Sequence, residues 1–271
     1  MGSPSGRSAL EDGLKNHGLI ATDGVSAMAL VMTGEQELLQ DRALLEPLSP
    51  RDRLLWAAER FGAGFAVTTS FGIQSAVLLH MLSTLPMGRD VPVIWVDTGY
   101  LPPETYRYAE ALTQRFGLRL HVAQSPLSPA RMEALHGQLW ATGRMEDLDL
   151  YLRLRKVEPL EQAMETLEVR CWSSGVRRGQ TDHRGTMSLL DPIRGRLSLR
   201  PLLAWTPRDV YYYMQEHALP QHPLFEQGYS TVGDWHSSAP DGAEQSGRQT
   251  RFGGMKQECG IHLPGVMGDG I

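Results

Sequence analysis

Cysteine is nearly missing from this 271-residue chain, which holds only Cys171 and Cys259. Two thiols cannot build a disulfide scaffold, and without a CxxC pair there is neither a zinc ribbon nor an internal redox dithiol. Long apolar runs are absent as well; nothing approaches the roughly 20 consecutive residues that span a bilayer. The opening residues have no basic segment followed by an apolar core, so the expected compartment is the reducing cytoplasm. Positive charge is not in excess: 26 Lys and Arg stand against 31 Asp and Glu, a net charge of -5. General binding to nucleic acid needs a basic surface that releases phosphate counterions, and this balance argues against it. A local basic pocket for one small anion remains compatible. Neither GxGxxG nor GK[ST] occurs, which removes the dinucleotide fingerprint and the Walker loop. There are no internal repeats.

What is present is an ordinary soluble balance, 41% hydrophobic and 21% charged, in a length suited to one α/β domain with or without an appendage. Residues 1–48 read as an N-terminal extension, in which Glu35 to Leu45 has helical composition without a strong periodic face. From Ser49-Pro50 the pattern sharpens. Serine as N-cap and proline at the first helical position predict a helix through Arg60, stopped by Gly62 and Gly64. Phe65 to Thr69 reads as a buried strand, Ala76 to Leu82 as a helix and Val91 to Val96 as a second strand. Pro103 to Phe116 is a helix closed by Gly117, and Leu118 to Val122 a third strand. This alternation predicts an α/β fold, an open parallel sheet flanked by helices, whose ligand sits beyond the carboxyl ends of the strands. Ser70 to Ser75 and Asp97 to Gly99 both fall there. Lys156 to Leu167 and Thr206 to Glu216 are further helices, and residues 49–235 form the main domain. The remainder, 236–271, is expected to be a flexible tail, with Ser237 to Gln249 a mobile loop.

Two segments suggest chemistry. In Ser70-Phe71-Gly72-Ile73-Gln74-Ser75, Gly72 permits close backbone approach, the following helix N-terminus offers free N–H groups, and Ser70, Gln74 and Ser75 add polar side chains. An ordinary strand-to-helix turn has much the same look. In Lys256-Gln257-Glu258-Cys259-Gly260-Ile261-His262, the cysteine lies outside any apolar run. Lys256 and His262 on either side favour its nucleophilic thiolate, while Glu258 opposes it. Locally, an inert surface thiol fits equally well. One Cys-x-x-His pair offers two ligands where structural zinc needs four, so no metal is expected. Cys171, beside Trp172 in a predicted strand, reads as a packed neutral thiol, and His217 and His222 read as surface residues beside a turn. Arg153, Arg155 and Lys156, then Arg177 and Arg178, then Arg251 and Lys256 are basic groups able together to neutralise a polyanionic nucleotide.

Taken jointly, SFGIQS (70–75), VDTGYLPPET (96–105), RKVEPL (155–160), SGVRRGQT (174–181), GYSTVGD (228–234) and KQECGIH (256–262) resemble the PAPS/APS reductase family, which reduces activated sulfate. The resemblance implies an adenine nucleotide α-hydrolase-like (PP-loop) fold and makes Cys259 the nucleophile. It places Ser70, Gly72, Gln74 and Ser75 around the phosphosulfate, and Asp97, Thr98 and Gly99 near the nucleotide. Lys156, Arg177, Arg178 and Arg251 become anion contacts, with Lys256 and His262 as possible support. Tyr229 and Asp234 belong to the pattern without an assigned role. Phe71 and Gln74 depart from the SGGxDS loop of ATP pyrophosphatases, as the reductase branch does.

Within that family, enzymes reducing adenylyl sulfate (APS) hold a [4Fe–4S] cluster through a cysteine pair and a later CxxC. Here those places carry Tyr151-Leu152 and Asp234-Trp235-His236-Ser237, and two cysteines cannot supply four thiolates. The resemblance therefore implies 3′-phosphoadenylyl sulfate (PAPS) as substrate, no bound cofactor, thioredoxin or glutaredoxin as external reductant, and a homodimer. Rival readings are APS reduction, an ATP pyrophosphatase independent of Cys259, and a nucleotide-binding redox sensor that forms no sulfite.

Overall fold

The computed structural model describes residues 23–243, 246–258 and 260–263. The chain divides after Gln40 into two compact units, and the sheet and cleft belong to the second. Helix α1 (Asp23–Leu45) precedes α2 (Pro50–Phe61), which starts as its sequence dictates: the Ser49 hydroxyl accepts from the Asp52 amide and Pro50 fills the first turn. Strand β1 (Phe65–Thr69) leads into α3 (Ser75–Ser83), then β2 (Pro92–Asp97), α4 (Pro103–Phe116) and β3 (Arg119–Gln124). Gly117 closes α4 in the left-handed conformation, φ +60°, that glycine adopts without steric cost. Next come α5 (Pro129–His136), α6 (Met145–Leu152), a π-helical turn at Arg153–Val157, and α7 (Glu158–Thr166). Strand β4 (Cys171–Ser173), the short α8 (Asp182–Gly185), the hairpin β5 (Leu190–Ile193) and β6 (Arg196–Leu199), and α9 (Pro207–Glu216) complete the body. Helix α9 opens on a reciprocal cap between Thr206 and Asp209. Beyond it the described chain forms only short 3₁₀ turns. No helix among the described residues is long and apolar enough to cross a membrane.

The six strands are ordered β3-β2-β1-β4-β6-β5, parallel except for β5 at the edge, which runs antiparallel to β6. Register is fixed by pairs such as Val67 with Val93, Ala66 with Trp172 and Ile94 with His121. Because side chains alternate across a strand, Ala66, Ile94, Ala123 and Trp172 share one face, where Leu160, Ala163 and Met164 of α7 cover them. Phe65, Val67 and Val93 point the other way and are equally buried. Burial on both faces is why these strands read as continuous apolar runs.

Two expectations need correction. The helix expected to begin at Lys156 continues from α6 through the π turn. Pro159 has no N–H and crowds the carbonyl four residues back, and the wider turn, with Glu158 donating to the Arg153 carbonyl, relieves that conflict. His222 is not a surface residue but fully buried; its Nδ1 accepts from the Leu224 amide and its Nε2 meets the Thr105 hydroxyl at 3.1 Å. In the loop expected at Ser237 to Gln249, Ser237 is buried and donates to the Asp234 carbonyl, and Gly247–Gly254 forms 3₁₀ turns; residues 244 and 245 lie outside the described residues.

Candidate active site

A cleft of about 1310 Å³ opens where the sheet topology requires it, at the carboxyl ends of β1, β2 and β4. Ser70, Gly72, Gln74 and Ser75 all line it. Phe71 holds the loop in place: its φ is +46°, a left-handed conformation uncommon for a residue with a side chain. Its ring is fully buried and meets Trp95 edge-on at 5.1 Å, while its amide donates to the Thr69 hydroxyl. Packing of the ring therefore offsets the backbone cost. A Cβ at position 72 would crowd the Ser70 hydroxyl at 3.3 Å and reach ordinary contact with the Val232 carbonyl at 3.6 Å, so the turn is close-packed at this glycine.

Opposite the loop, Lys156 emerges from the π turn and pairs with Asp234 at 2.7 Å. Asp234 is completely buried, and it also accepts from the Thr98 hydroxyl at 2.6 Å and the Tyr151 hydroxyl at 3.0 Å. Burial alone would raise the Asp234 carboxyl, but Lys156, Arg251 and the Thr98 hydrogen bond overcome it and hold the group well below the usual carboxylate range. His236 reaches the Tyr151 hydroxyl at 3.0 Å and stacks on Trp140 at 4.1 Å, and burial lowers it to about 4, so it is neutral. Asp234 had no assigned role in the sequence pattern; its 3.0 and 2.6 Å contacts to Tyr151 and Thr98 make it the centre of a network that aims Lys156. The Lys-to-Asp spacing of 78 positions carries no local signal that could have revealed it.

Arg177 follows β4, is buried, and is pushed down to about 10 by burial and by Arg184. It donates to the Gln74 side-chain carbonyl, tying the β4 loop to the loop after β1. Arg251 is buried too, its Nε lacks a hydrogen-bond partner, and its guanidinium lies against Gly233. Among the described residues no carboxylate forms an ion pair with Arg177 or Arg251, whereas neighbouring Arg184 is paired with Glu258 at 2.8 Å. Arg178 and Thr98 also line the cleft. Arg155 instead donates to the backbone carbonyls of Thr98 and Leu127, so it shapes the loop after β2 and is turned away from the cleft.

Asp97 and Gly99 are not among the cleft-lining residues. The Asp97 carboxylate accepts from the Gly99 amide, the Tyr106 hydroxyl and the Gln124 amide, each at 2.7–2.8 Å, and so fixes the turn that presents Thr98. Gly99 has φ +74°, and a side chain there would strike Pro129. Cys171 is fully buried in β4, and burial pushes its thiol up to about 12, the packed neutral thiol expected of it.

Cys259 lies outside the described residues, but its neighbours are placed. Gln257, Ile261 and His262 line the same cleft. Glu258 accepts a two-pronged contact from Arg184, at 2.8 and 2.9 Å, and the Thr181 hydroxyl at 2.8 Å. The negative charge expected to oppose thiolate formation is thus already neutralised. The two cations expected to favour it are engaged elsewhere: Lys256 pairs with Asp149, and His262 stacks on Trp172 at 5.3 Å. Burial and the surrounding Arg184, Arg200, Arg248 and Arg194 hold His262 well below its ordinary value, so it is a neutral imidazole. Among the described residues no cluster of three or more His, Cys, Asp or Glu side chains could hold a metal ion.

Comparison with known proteins bears on the family and the fold. The family model for the phosphoadenosine phosphosulfate reductase domain matches residues 64–240. A phosphoadenosine 5′-phosphosulfate reductase of Synechococcus sp. is 56% identical over 209 residues, covering 77% of this chain and 89% of that protein. Among solved structures, the phosphoadenylyl-sulfate (PAPS) reductase of Candida auris in a phosphate complex has a TM-score of 0.64 at 30% identity, over 73% of this chain and 94% of that one. The FMN adenylyltransferase of Candida glabrata in complex with ATP, at 14% identity and a TM-score of 0.51 over 74% of this chain and 64% of that one, shares the fold alone.

Proposed function

The chain belongs to the phosphoadenosine phosphosulfate reductase family, and from that premise we propose that it reduces PAPS to sulfite in sulfate assimilation, with Cys259 as nucleophile and thioredoxin as reductant. The Cys259 thiolate attacks the sulfur of the bound phosphosulfate. A sulfur–sulfur bond forms, the bond from sulfur to the bridging oxygen breaks, and adenosine 3′,5′-bisphosphate leaves with the electron pair. The enzyme then carries an S-sulfocysteine. A thioredoxin thiolate attacks the Cys259 sulfur and expels sulfite, and the second thioredoxin thiol resolves the mixed disulfide, so that the dithiol supplies both electrons. The other cysteine is buried in β4, which is why the resolving thiol must come from outside.

Each part of the cleft has a task in this scheme. The amides of Gly72, Ile73 and Gln74 and the first turn of α3 receive phosphosulfate oxygens, assisted by the side chains of Ser70, Gln74 and Ser75, while the Phe71 and Ser75 amides are bonded within the turn. Arg177, Arg251 and Lys156, with Arg178 at the rim, balance the charge that develops on the leaving bisphosphate. Asp97 and Gly99 act through the loop that presents Thr98. A [4Fe–4S] cluster has no place in the scheme, since four thiolates exceed the two cysteines of the chain.

The observation that carries the reading is the convergence on one cleft of the anion-binding turn, two buried arginines that form no carboxylate ion pair among the described residues, and the residues on both sides of Cys259. Intact mass spectrometry of the protein mixed with PAPS, reductant omitted, is expected to show one added SO3 on Cys259. The Cys259→Ser variant should bind the nucleotide and gain nothing. Full turnover by that variant would refute the scheme.

A further inference from the structure

Outside the cleft, the β5–β6 hairpin carries a residue that nothing above assigns. Its two-residue turn is Arg194-Gly195, with φ +46° and +76°, the left-handed pair that matches a hairpin's twist. Glycine suits both positions, and a long side chain at the first is unusual. The Arg194 guanidinium is almost wholly buried and fully engaged. Its Nε pairs with Glu161 of α7 at 2.7 Å, its Nη1 donates to the carbonyls of Gly260 at 3.3 Å and Leu263 at 2.9 Å, and its Nη2 donates to that of Ile261 at 2.8 Å. The other Glu161 oxygen is held by Arg196 at 2.6 Å, and Arg196 also donates to the Val169 carbonyl, so the carboxylate that orients Arg194 is itself fixed.

We infer that Arg194 is a positioning residue for the nucleophile: it clamps the carbonyls of the segment just after Cys259 and so sets where that segment docks. Three observations support it independently of the cleft. The contacts go to backbone carbonyls, so they fix the path of the chain and not the identity of its side chains. Ile261 packs on the apolar cluster of α7 and the sheet, and His262 stacks on Trp172, so the clamp closes a segment already seated by packing. On the other side of Cys259, Glu258 is held by Arg184 and Thr181. The thiol is therefore joined covalently to two anchored neighbours, and removing one anchor should free half of its tether. Arginine is required because only a planar fork can reach three carbonyls and one carboxylate together; an ammonium group cannot.

The inference rests on Cys259 being the nucleophile, so its test needs a readout that does not. Hydrogen exchange of the peptide containing Gly260 to Leu263 should be about tenfold faster in Arg194→Ala than in the unaltered protein, from the loss of charged hydrogen bonds. S-sulfocysteine formation at saturating PAPS should slow by a similar factor, while release of sulfite by thioredoxin from preformed adduct should not. Arg194→Lys should recover little of either; it also replaces Arg194→Ala if that variant fails to fold. Unchanged exchange, or faster exchange with an unchanged rate of adduct formation, overturns the inference. If the unaltered protein forms no adduct at all, it is the proposed function that fails, and the exchange result still decides whether Arg194 anchors the segment.

Discussion

Replacing Asp234 by asparagine isolates the charge at the centre of the network. The side chain keeps its size, and its carbonyl can still accept from Thr98. The second oxygen, however, becomes an NH2 group facing two donors, the Lys156 ammonium at 2.7 Å and the Tyr151 hydroxyl at 3.0 Å. Lys156 is itself buried, 8% exposed, and is left as an uncompensated charge. Breaking one partner of such a buried pair costs about 3–5 kcal/mol, against a total stability of about 5–15 kcal/mol for an ordinary domain. The melting temperature should fall by about 6–20 °C, and the urea midpoint should fall with it. Acid should narrow the gap. The Asp234 carboxyl is held below its ordinary value of 3.8, so its contribution is present above that value and is lost as pH falls from there toward the folded-state value. Inorganic phosphate should raise the melting temperature of Asp234→Asn more than that of the unaltered protein, since Lys156 then has no other partner for its charge. A variant within about 1 kcal/mol of the unaltered protein at neutral pH would refute the assignment of Asp234 as a charge partner.

Arg177→Met should leave stability unchanged or improved, because it removes a buried charge that forms no carboxylate ion pair among the described residues. KM for PAPS should rise at least about tenfold in a sulfite-release assay. Cys171→Ala should stay active, and in the native protein a thiol reagent near neutral pH should titrate one cysteine quickly, with the second appearing only on unfolding, since burial pushes Cys171 up to about 12. His222 is held at about 4 mainly by burial, so its contribution to stability is full above the unfolded value near 6.5 and declines as pH falls from there toward 4. Urea titrations across that range should show a smaller acid loss for His222→Asn than for the unaltered protein.

Much of the fold was legible because its signals are local. Helix α9 begins where Thr206-Pro207 dictates, α4 ends where Gly117 dictates, and β1 occupies Phe65–Thr69 as its apolar run indicates. The hairpin β5–β6 was not legible. Its strands have four residues each, one contains Pro192, tolerated at the sheet edge, and its turn carries arginine where glycine or asparagine would have announced it. The residue that obscured the turn is the one whose guanidinium meets the tail. For the cleft, the sequence supplied the loops but could not sort the basic residues. Arg155 and Arg177 look alike in the chain, yet one ends on backbone carbonyls and the other on the cleft wall, because their partners lie 28 to 103 positions away. His262 was misleading for the same reason: a cation on paper, it becomes neutral once it stacks on Trp172 among four arginines.

The sorting of charges also explains how an acidic protein can present a site for a polyanion. Around the cleft and behind it, Lys156, Arg184, Arg194 and Arg200 each face a carboxylate, Asp234, Glu258, Glu161 and Asp191 respectively. The three arginine pairs are buried or nearly so and act by holding loops in place, whereas Asp234 orients Lys156 at the cleft. Among the described residues Arg177 is buried without such a carboxylate, at a cost in desolvation that the folded protein bears until an anion arrives, and the charge nearest buried Arg251 is Asp234, already paired with Lys156. A ligand phosphate or sulfate therefore meets guanidinium groups already stripped of water, where attraction is least screened, and the exterior can remain acidic without weakening the contact. If that is the source of affinity, raising ionic strength should weaken nucleotide binding far less than it weakens an exposed ion pair, because the two arginines lie within the fold and the Debye screening of roughly 8 Å at 0.15 M acts mainly on solvent-exposed charge.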